Sequence, residues 1–426
     1  MPSSSAAGSG LRVHPFRALT YAARSPEQLA RVSSPAYDLV TAAGRSRLAA
    51  ADPHNVVRLI LPAVEDRPGE APADRTARSA ALSAATLRDW QTSGVLVQDG
   101  TPALWSYRMS GPDGAATTGW LVAVELPPAG SRAVLPHEDV FAPAVEGRRS
   151  LLAATGTDLE PIVLAHDRSD AVARWTADVL ERPVDLQVTD ADGVRHELRR
   201  VEDRAALADL TEGFAGVAAV IADGHHRFAA ARAHAGPHGG SVLALLTPMG
   251  PGGLRVQAIH RVVPGLDLAA AGELASTGFR VTRVDTTAVE GGASAVARGW
   301  VAEPGQDCFL VTDGTDVLLL SSPTDAVRAR IPTGQPDSWR SLDVVLAHAG
   351  LLSGLWGLPD DPTAVLVAHD VPEALRLARE RDGVALLLRS SSPADVAALA
   401  RDGARMPRKS TLFVPKPRTG LVFRPH

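Results

Sequence analysis

Apolar residues along this chain fall into short runs broken by glycine, proline and acidic turn residues, and only some carry a helical period. Leu104–Met109 and Gly119–Leu126 are strand-like and flank a Gly-Pro-Asp-Gly turn at 111–114, which predicts a β-hairpin. A second hairpin is predicted over Val184–Val201, around Ala191-Asp192-Gly193. The run beginning at Asn55 and continuing through Val56-Val57-Arg58-Leu59 suits a buried strand. After the Pro-, Glu-, Asp- and Arg-rich loop 62–75, a helix is predicted from about Thr76 to Ser93. In mid-chain a helix over Asp203–Gly213 precedes the apolar strand Gly216–Ile221. That strand runs into Ala222-Asp223-Gly224-His225-His226-Arg227, and a helical stretch Phe228–Ala235 follows. Strands are predicted at Val242–Leu246, Leu254–Val263, Val365–Ala368, Val384–Leu388 and Thr411–Val414. Helices are predicted near 341–356, 371–381 and 393–403.

Strands alternate with helices in the middle, yet hairpins interrupt them, so the expected fold is α/β to α+β with mixed sheets. At 426 residues the chain is long enough for two or three domains. The reading is a disordered tail at 1–10, a main α/β domain at 11–330 carrying the 223–227 turn, and a C-terminal α/β lobe at 331–426. That lobe either stands apart or closes over the site.

Composition narrows the function classes. With 45% hydrophobic and 21% charged residues the chain can bury a sizeable core. The balance of 43 basic against 48 acidic side chains supplies no broad basic surface and argues against a nucleic-acid partner. A single cysteine, Cys308, rules out a disulfide framework or a cysteine-based zinc site within one chain; in Cys308-Phe309-Leu310-Val311 it reads as a core residue. The N-terminal MPSSSAAGSG lacks the apolar segment of a secretory signal, and no apolar run is long enough for a transmembrane helix. The expectation is a cytoplasmic protein without a membrane partner; the pattern specifies no oligomeric state.

The chemistry concentrates in the strand–turn–helix at 221–230. Gly224 permits a tight or positive-φ turn, and the first turn of the helix after it presents N–H groups and the positive end of the helix dipole. An anion placed there gains backbone hydrogen bonds, and Arg227 can add a bidentate contact to phosphate oxygens. His225 and His226 can donate to phosphate, accept a proton or bind metal, while Asp223 can act as a base or hold a divalent ion. Adjacent histidines cannot point both rings to one helix face, so a metal site from this pair alone is disfavoured and phosphate contact is preferred. Other polar clusters could converge on the turn. Leu135-Pro136-His137-Glu138-Asp139 joins an imidazole to two carboxylates and precedes Arg148 and Arg149. Tyr37 and Asp38 follow Pro35 in a turn, and Lys409-Ser410-Thr411 with Lys416 surrounds a short strand with cations and hydroxyls. There is no Gly-x-x-x-x-Gly-Lys-Ser/Thr loop, Gly-x-Ser-x-Gly elbow, His-Glu-x-x-His or kinase signature, so a phosphotransferase with this sequence is not one of the common folds.

Five segments together resemble a widespread bacterial and archaeal family, domain of unknown function one thousand and fifteen. They are SSPAYD (33–38), NVVRLILP (55–62), LPHEDVFAPAVEGRRSLLAAT (135–155), IADGHHRFAAA (221–231) and MPRKSTLFVPKPRTGLVF (406–423). Ala36 stands where the family usually has a second proline, and Leu412 where an aromatic is common; neither change removes a reactive group. The Asp-Gly-His-His-Arg turn is also similar to the phosphate-binding turn of the ParB/sulfiredoxin superfamily, including its free-serine kinases.

Turn chemistry and resemblance together imply a nucleotide-dependent enzyme that transfers or hydrolyses a phosphoryl group, such as a kinase for a serine-like hydroxyl. In that expectation Gly224, His226 and Arg227 hold the phosphates of ATP or ADP. Asp223, Glu138 and His225 form the catalytic set, and Asp223 and Glu138 bind Mg²⁺. His137, Arg148, Lys409, Ser410, Thr411 and Lys416 complete the phosphate site, with Tyr37, Asp38 and Asn55 as secondary candidates. Two alternatives stay open: a non-enzymatic nucleotide-sensing or partner-binding protein, and a metal-dependent hydrolase built on His137, Glu138, His225 and His226.

Overall fold

The computed structural model describes residues 10–250, 252–359, 361, 363–407 and 409–426; of the tail expected at 1–10, all but Gly10 lies outside the described residues. The chain divides into two compact units, 1–254 with 415–426, and 255–414. The boundary expected at 330/331 therefore falls inside the second unit, and Pro415–His426 belongs to the first. Strand pairing explains this. Thr411–Val414 pairs with Arg255–Ala258, whereas Arg424–Pro425 pairs with Thr157–Asp158, and Thr419 and Phe423 bridge to Ser34 and Leu19.

The first unit is built on a nine-stranded mixed sheet. Its order is Val134–Leu135, Ala219–Asp223, Ile162–His166, Ser241–Pro248, Ala116–Glu125, Leu104–Ser110, Arg195–Val201 and Leu186–Thr189, with Val13–His14 added on Ala116–Glu125. The first two strands are parallel to each other, as are Ile162–His166 and Ser241–Pro248; the remaining pairs are antiparallel. Both predicted hairpins are present. Alternate residues of the central strands enter opposite cores. Trp105, Tyr107, Leu121, Leu243 and Leu245 fill one, and Leu104, Trp120, Val122, Ala244 and Leu246 fill the other. Burial on both faces is why these strands read as continuous apolar runs. On one face the helices Ala142–Thr155 and His225–Ala235 pack against each other.

Two readings of the sequence are corrected here. The run after Asn55 is a short helix, Val57–Ile60, not a strand. Asn55 is fully buried; its Oδ1 accepts the Val57 N–H, and its Nδ2 donates to the carbonyls of Arg31 and Ser33. A short apolar run cannot distinguish helix from strand, and the local asparagine bond decides it. The helix expected from Phe228 begins at His225, because left-handed Gly224 is itself the N-cap.

The second unit contains a six-stranded sheet ordered Arg280–Val284, Val317–Ser321, Phe309–Thr312, Val384–Leu387, His260–Val263 and Leu366–Ala368, all pairs antiparallel. Its core joins Val262, Leu310, Ala374, Leu375 and Leu387. Three further differences from the sequence reading fall here. The strand expected over Leu254–Val263 is two strands in different sheets, and part of the helix expected at 341–356 is a π-helix, Leu346–Leu355. Cys308, just before a buried strand, is only half-buried and lies 3.2 Å from Arg389.

His260 is almost fully buried in this unit, and its Nδ1 accepts the Leu388 N–H at 3.3 Å. Burial, and then the Arg261 charge, push its pKa from the ordinary 6.5 down to about 4. Between those values the unfolded chain binds more protons than the folded one, so stability falls as pH drops through that window. The loss totals about 3 kcal/mol at the acid end. A His260→Gln variant is expected to flatten the stability of this unit between pH 6.5 and 4, as read by urea unfolding across pH; an unchanged slope would contradict the assignment.

Candidate functional site

The site begins where the strand Ala219–Asp223 ends. Its register against Ile162–His166 shifts between Ile221 and Asp223, a local irregularity that re-aims the end of the strand. Gly224 follows with φ 92°, and a Cβ there would lie 2.9 Å from Ile162 Cγ2 and 3.0 Å from Arg227 Nε. Glycine is thus required twice, by conformation and by the guanidinium lying over it. Gly224→Ala is expected to destabilise the protein by about 1–3 kcal/mol and to displace Arg227. A denaturation midpoint equal to that of the parent would count against this.

Four charges meet at the end of the strand. Asp223 pairs with Arg227 one turn along the helix and, through Oδ1, with Lys416 Nζ at 2.8 Å. Lys416 also reaches Asp38 Oδ2 at 2.5 Å, tying a C-terminal residue to the Pro35–Asp38 turn. Burial works to lower the Lys416 pKa, but Asp223 and Asp38 outweigh it, so the ammonium is held above its ordinary value. Arg227 behaves alike: burial opposes its charge, and Asp223, Glu160, Tyr37 and Asp38 favour it. Both cations stay charged throughout the physiological range. The Tyr37 ring lies beneath two guanidiniums, with Arg148 Cζ 3.8 Å and Arg227 Cζ 5.6 Å from its centroid. Burial raises the Tyr37 pKa against the pull of both arginines.

A second cluster adjoins the turn. The rings of His137 and His225 meet edge to face with centroids 4.7 Å apart. Glu138 lies between them, with one carboxylate oxygen 3.9 Å from His137 Nε2 and the other 3.9 Å from His225 Nδ1. His137 is 1% exposed and His225 6%, whereas Glu138 is 30% exposed. His225 Nε2 accepts the His137 backbone N–H, and His226 Nε2 accepts that of Phe141 at 3.1 Å. Those two bonds pin the 137–141 segment to the helix that begins at His225. An imidazole nitrogen that accepts a backbone N–H is unprotonated, so this arrangement fixes a neutral tautomer on each ring.

Of the residues singled out in the sequence, Asp223, Gly224, Arg227, Lys416, Asp38, Tyr37 and Arg148 come together, and His137, Glu138, His225 and His226 form the adjoining cluster. Asn55 is committed to the backbone contacts described above. Lys409, Ser410 and Thr411 belong to the second unit, where the Lys409 carbonyl accepts from Arg261 and Ser410 Oγ donates to the Pro407 carbonyl at 2.6 Å. Among the described residues no group of three or more His, Cys, Asp and Glu side chains is placed to hold a metal ion.

The sequence reading passed over Asp158, Glu160, Arg418 and Thr419. Glu160 is 6% exposed, and its Oε1 accepts the Tyr37 N–H at 3.1 Å and the Thr419 hydroxyl at 2.8 Å. Arg418 donates to the Ser33 hydroxyl and carbonyl, and its N–H to the Tyr107 hydroxyl. These bonds orient the segment that carries Lys416. The available signal was Asp158-Leu159-Glu160, two acidic residues of one alternation entering an apolar strand; buried carboxylates at such a position demand partners.

Fold and site together define a mixed α/β protein organised around a cation-rich strand–turn–helix. The chain belongs to the family described as Protein of unknown function (DUF1015), which matches residues 13–345. No curated protein matches it. Among solved structures it is similar to a free serine kinase in complex with AMP, at 14% identity and a TM-score of 0.33, covering 71% of this chain and 92% of that one. A conserved hypothetical protein from Pyrococcus furiosus is similar at 14% identity and a TM-score of 0.32, covering 69% and 90%. C-terminally truncated SbnI from Staphylococcus aureus is similar at 11% identity and a TM-score of 0.34, covering 68% and 82%. Among the described residues no helix is long and apolar enough to cross a membrane.

Proposed function

We propose that the 223–227 turn binds the phosphates of ATP or ADP and that the protein transfers a phosphoryl group to a small-molecule hydroxyl. The observation that carries this reading is the charge cluster. A helix N-terminus capped by left-handed Gly224 stands beside Arg227 and Lys416, both buried and both held charged by Asp223 and Asp38. Phosphoryl transfer depends mainly on positioning and charge neutralisation, which preorganised cations and helix N–H groups supply without reorganising.

In this reading the two carboxylates, Asp223 and Glu138, take different parts. Asp223 is committed to Lys416 and Arg227, so its role is to hold those cations in place. Glu138 is partly exposed beside two imidazoles, and it takes the proton from the acceptor hydroxyl. Glu138 is also the oxygen donor that suits a hard dication. Mg²⁺ bound with the nucleotide would neutralise phosphate charge, held chiefly by phosphate oxygens and water as is usual for this ion. His225 and His226 serve by fixing the segment that carries Glu138.

The test is incubation of the purified protein with ATP or ADP, Mg²⁺ and a panel of small hydroxyl compounds starting with serine, followed by phosphorus NMR. A new phosphate ester is the expected result. Nucleotide binding with no ester and no released phosphate would instead identify a nucleotide sensor.

A further inference from the structure

Behind the segment that carries Lys416 runs a buried chain of hydrogen bonds outside the charge cluster. The Arg418 N–H donates to the Tyr107 hydroxyl at 2.9 Å, that hydroxyl stands 2.8 Å from His196 Nδ1, and His196 Nε2 stands 3.1 Å from Asp190 Oδ2. Tyr107 and His196 are each 1% exposed. Asp190 is held in its own turn, where Oδ1 accepts the N–H groups of Asp192 and Val194. The backbone end of the chain fixes every proton in it. An N–H can only donate, so the Tyr107 oxygen accepts and its O–H passes to Nδ1. Nδ1 is therefore bare, and the ring proton lies on Nε2 against the Asp190 carboxylate. A neutral His196 satisfies all of these groups at once.

Protonation breaks that order. A proton on Nδ1 would face the oxygen that already accepts from Arg418, and the buried Tyr107 O–H would lose its acceptor. Tyr107 faces His196 from the neighbouring strand, Asp190 from the turn ahead of its own strand, and Arg418 from the 415–419 segment. Glu27 and Arg31, on the helix Pro26–Val32 that packs against Leu186–Thr189, are exposed. Burial pushes the His196 pKa below 6.5, and Arg418 adds to it, against the pull of Asp190. Only Pro417, with its fixed φ, separates Arg418 from Lys416. Thr419 is bridged to Ser34, and the Arg418 guanidinium is bonded to Ser33, so losing the Tyr107 bond loosens the segment without melting it.

We propose that Asp190, His196 and Tyr107 are positioning residues for Lys416: with His196 neutral they hold the 415–419 segment in place, and protonation of His196 releases it. The consequence for ligands rests on the phosphate reading above. Anion binding at the turn then weakens in acid through a histidine that is not part of the charge cluster.

The experiment compares the parent, His196→Asn and Tyr107→Phe between pH 7.5 and 4.5, on protein shown to be folded at each pH. Hydrogen exchange reads the protection of the 415–419 segment, and calorimetric titration with inorganic pyrophosphate reads the turn. Asparagine puts an amide oxygen where Nδ1 stands and cannot be protonated. At pH 7.5 His196→Asn is expected to keep parental protection and affinity within about twofold, while Tyr107→Phe lowers both roughly five- to tenfold. Toward pH 4.5 the parent is expected to lose protection and affinity relative to His196→Asn by a similar factor; comparison at equal pH cancels the titration of pyrophosphate itself. Parallel exchange profiles for the parent and His196→Asn, or parental protection in Tyr107→Phe, overturn the positioning role. If either variant does not fold, the other decides. Protection that follows the prediction in a parent that binds no pyrophosphate upholds the positioning role and overturns the phosphate reading.

Discussion

Replacing Lys416 by methionine is expected to destabilise the first unit by about 3–5 kcal/mol and to abolish binding at the turn. The Lys416 side chain is 8% exposed, and its ammonium stands between the side chains of Asp223, 16% exposed, and Asp38, 31% exposed. Methionine fills the space of the aliphatic stem but removes the cation that stands between the two carboxylates. The unfolding midpoint should drop by roughly 6–20 °C. Lys416→Arg, which restores the charge, should recover most of the loss. If the methionine variant were as stable as the parent at pH 7, the cluster would not be the organising element of this site.

Glu138→Gln is expected to lower turnover by about 10²–10⁴-fold with nucleotide affinity little changed. Glutamine keeps the shape of the side chain between His137 and His225 but cannot take a proton. Asp223→Asn should behave differently, because it releases Arg227 and Lys416 and so loses affinity and stability together. Steady-state kinetics beside calorimetry separates the two. A Glu138→Gln enzyme with parental turnover would move the base elsewhere.

The turn was readable because its chemistry is contiguous: strand, Asp-Gly, two histidines and an arginine sit in one stretch of sequence. The hairpins and most of the helices were readable for the same reason. The histidines show the limit of such reading. Their residue types announce chemistry, yet two Nε2 atoms are spent on backbone N–H groups of the 137–141 segment, a pairing no local pattern encodes. Glu160, Arg418 and Thr419 act across separations of hundreds of residues, so only the fold reveals them. The segment 406–423 reads as one motif, but strand pairing divides it between units after Val414. Lysines close in sequence, Lys409 and Lys416, thereby take different roles. The helix after Asn55 was misread because buried apolar residues look alike in either conformation, and one side-chain bond to the Val57 N–H chose the helix.

The central claim is that the Asp223–Arg227 turn is where phosphate binds. The most direct test is calorimetric titration of the parent and Arg227→Ala with pyrophosphate, ATP, ADP and AMP, with and without Mg²⁺, on protein shown to be folded. The account predicts binding by the parent that increases with the number of phosphates and weakens by about 10–100-fold in Arg227→Ala. No binding by the folded parent, or equal binding by the variant, would contradict it.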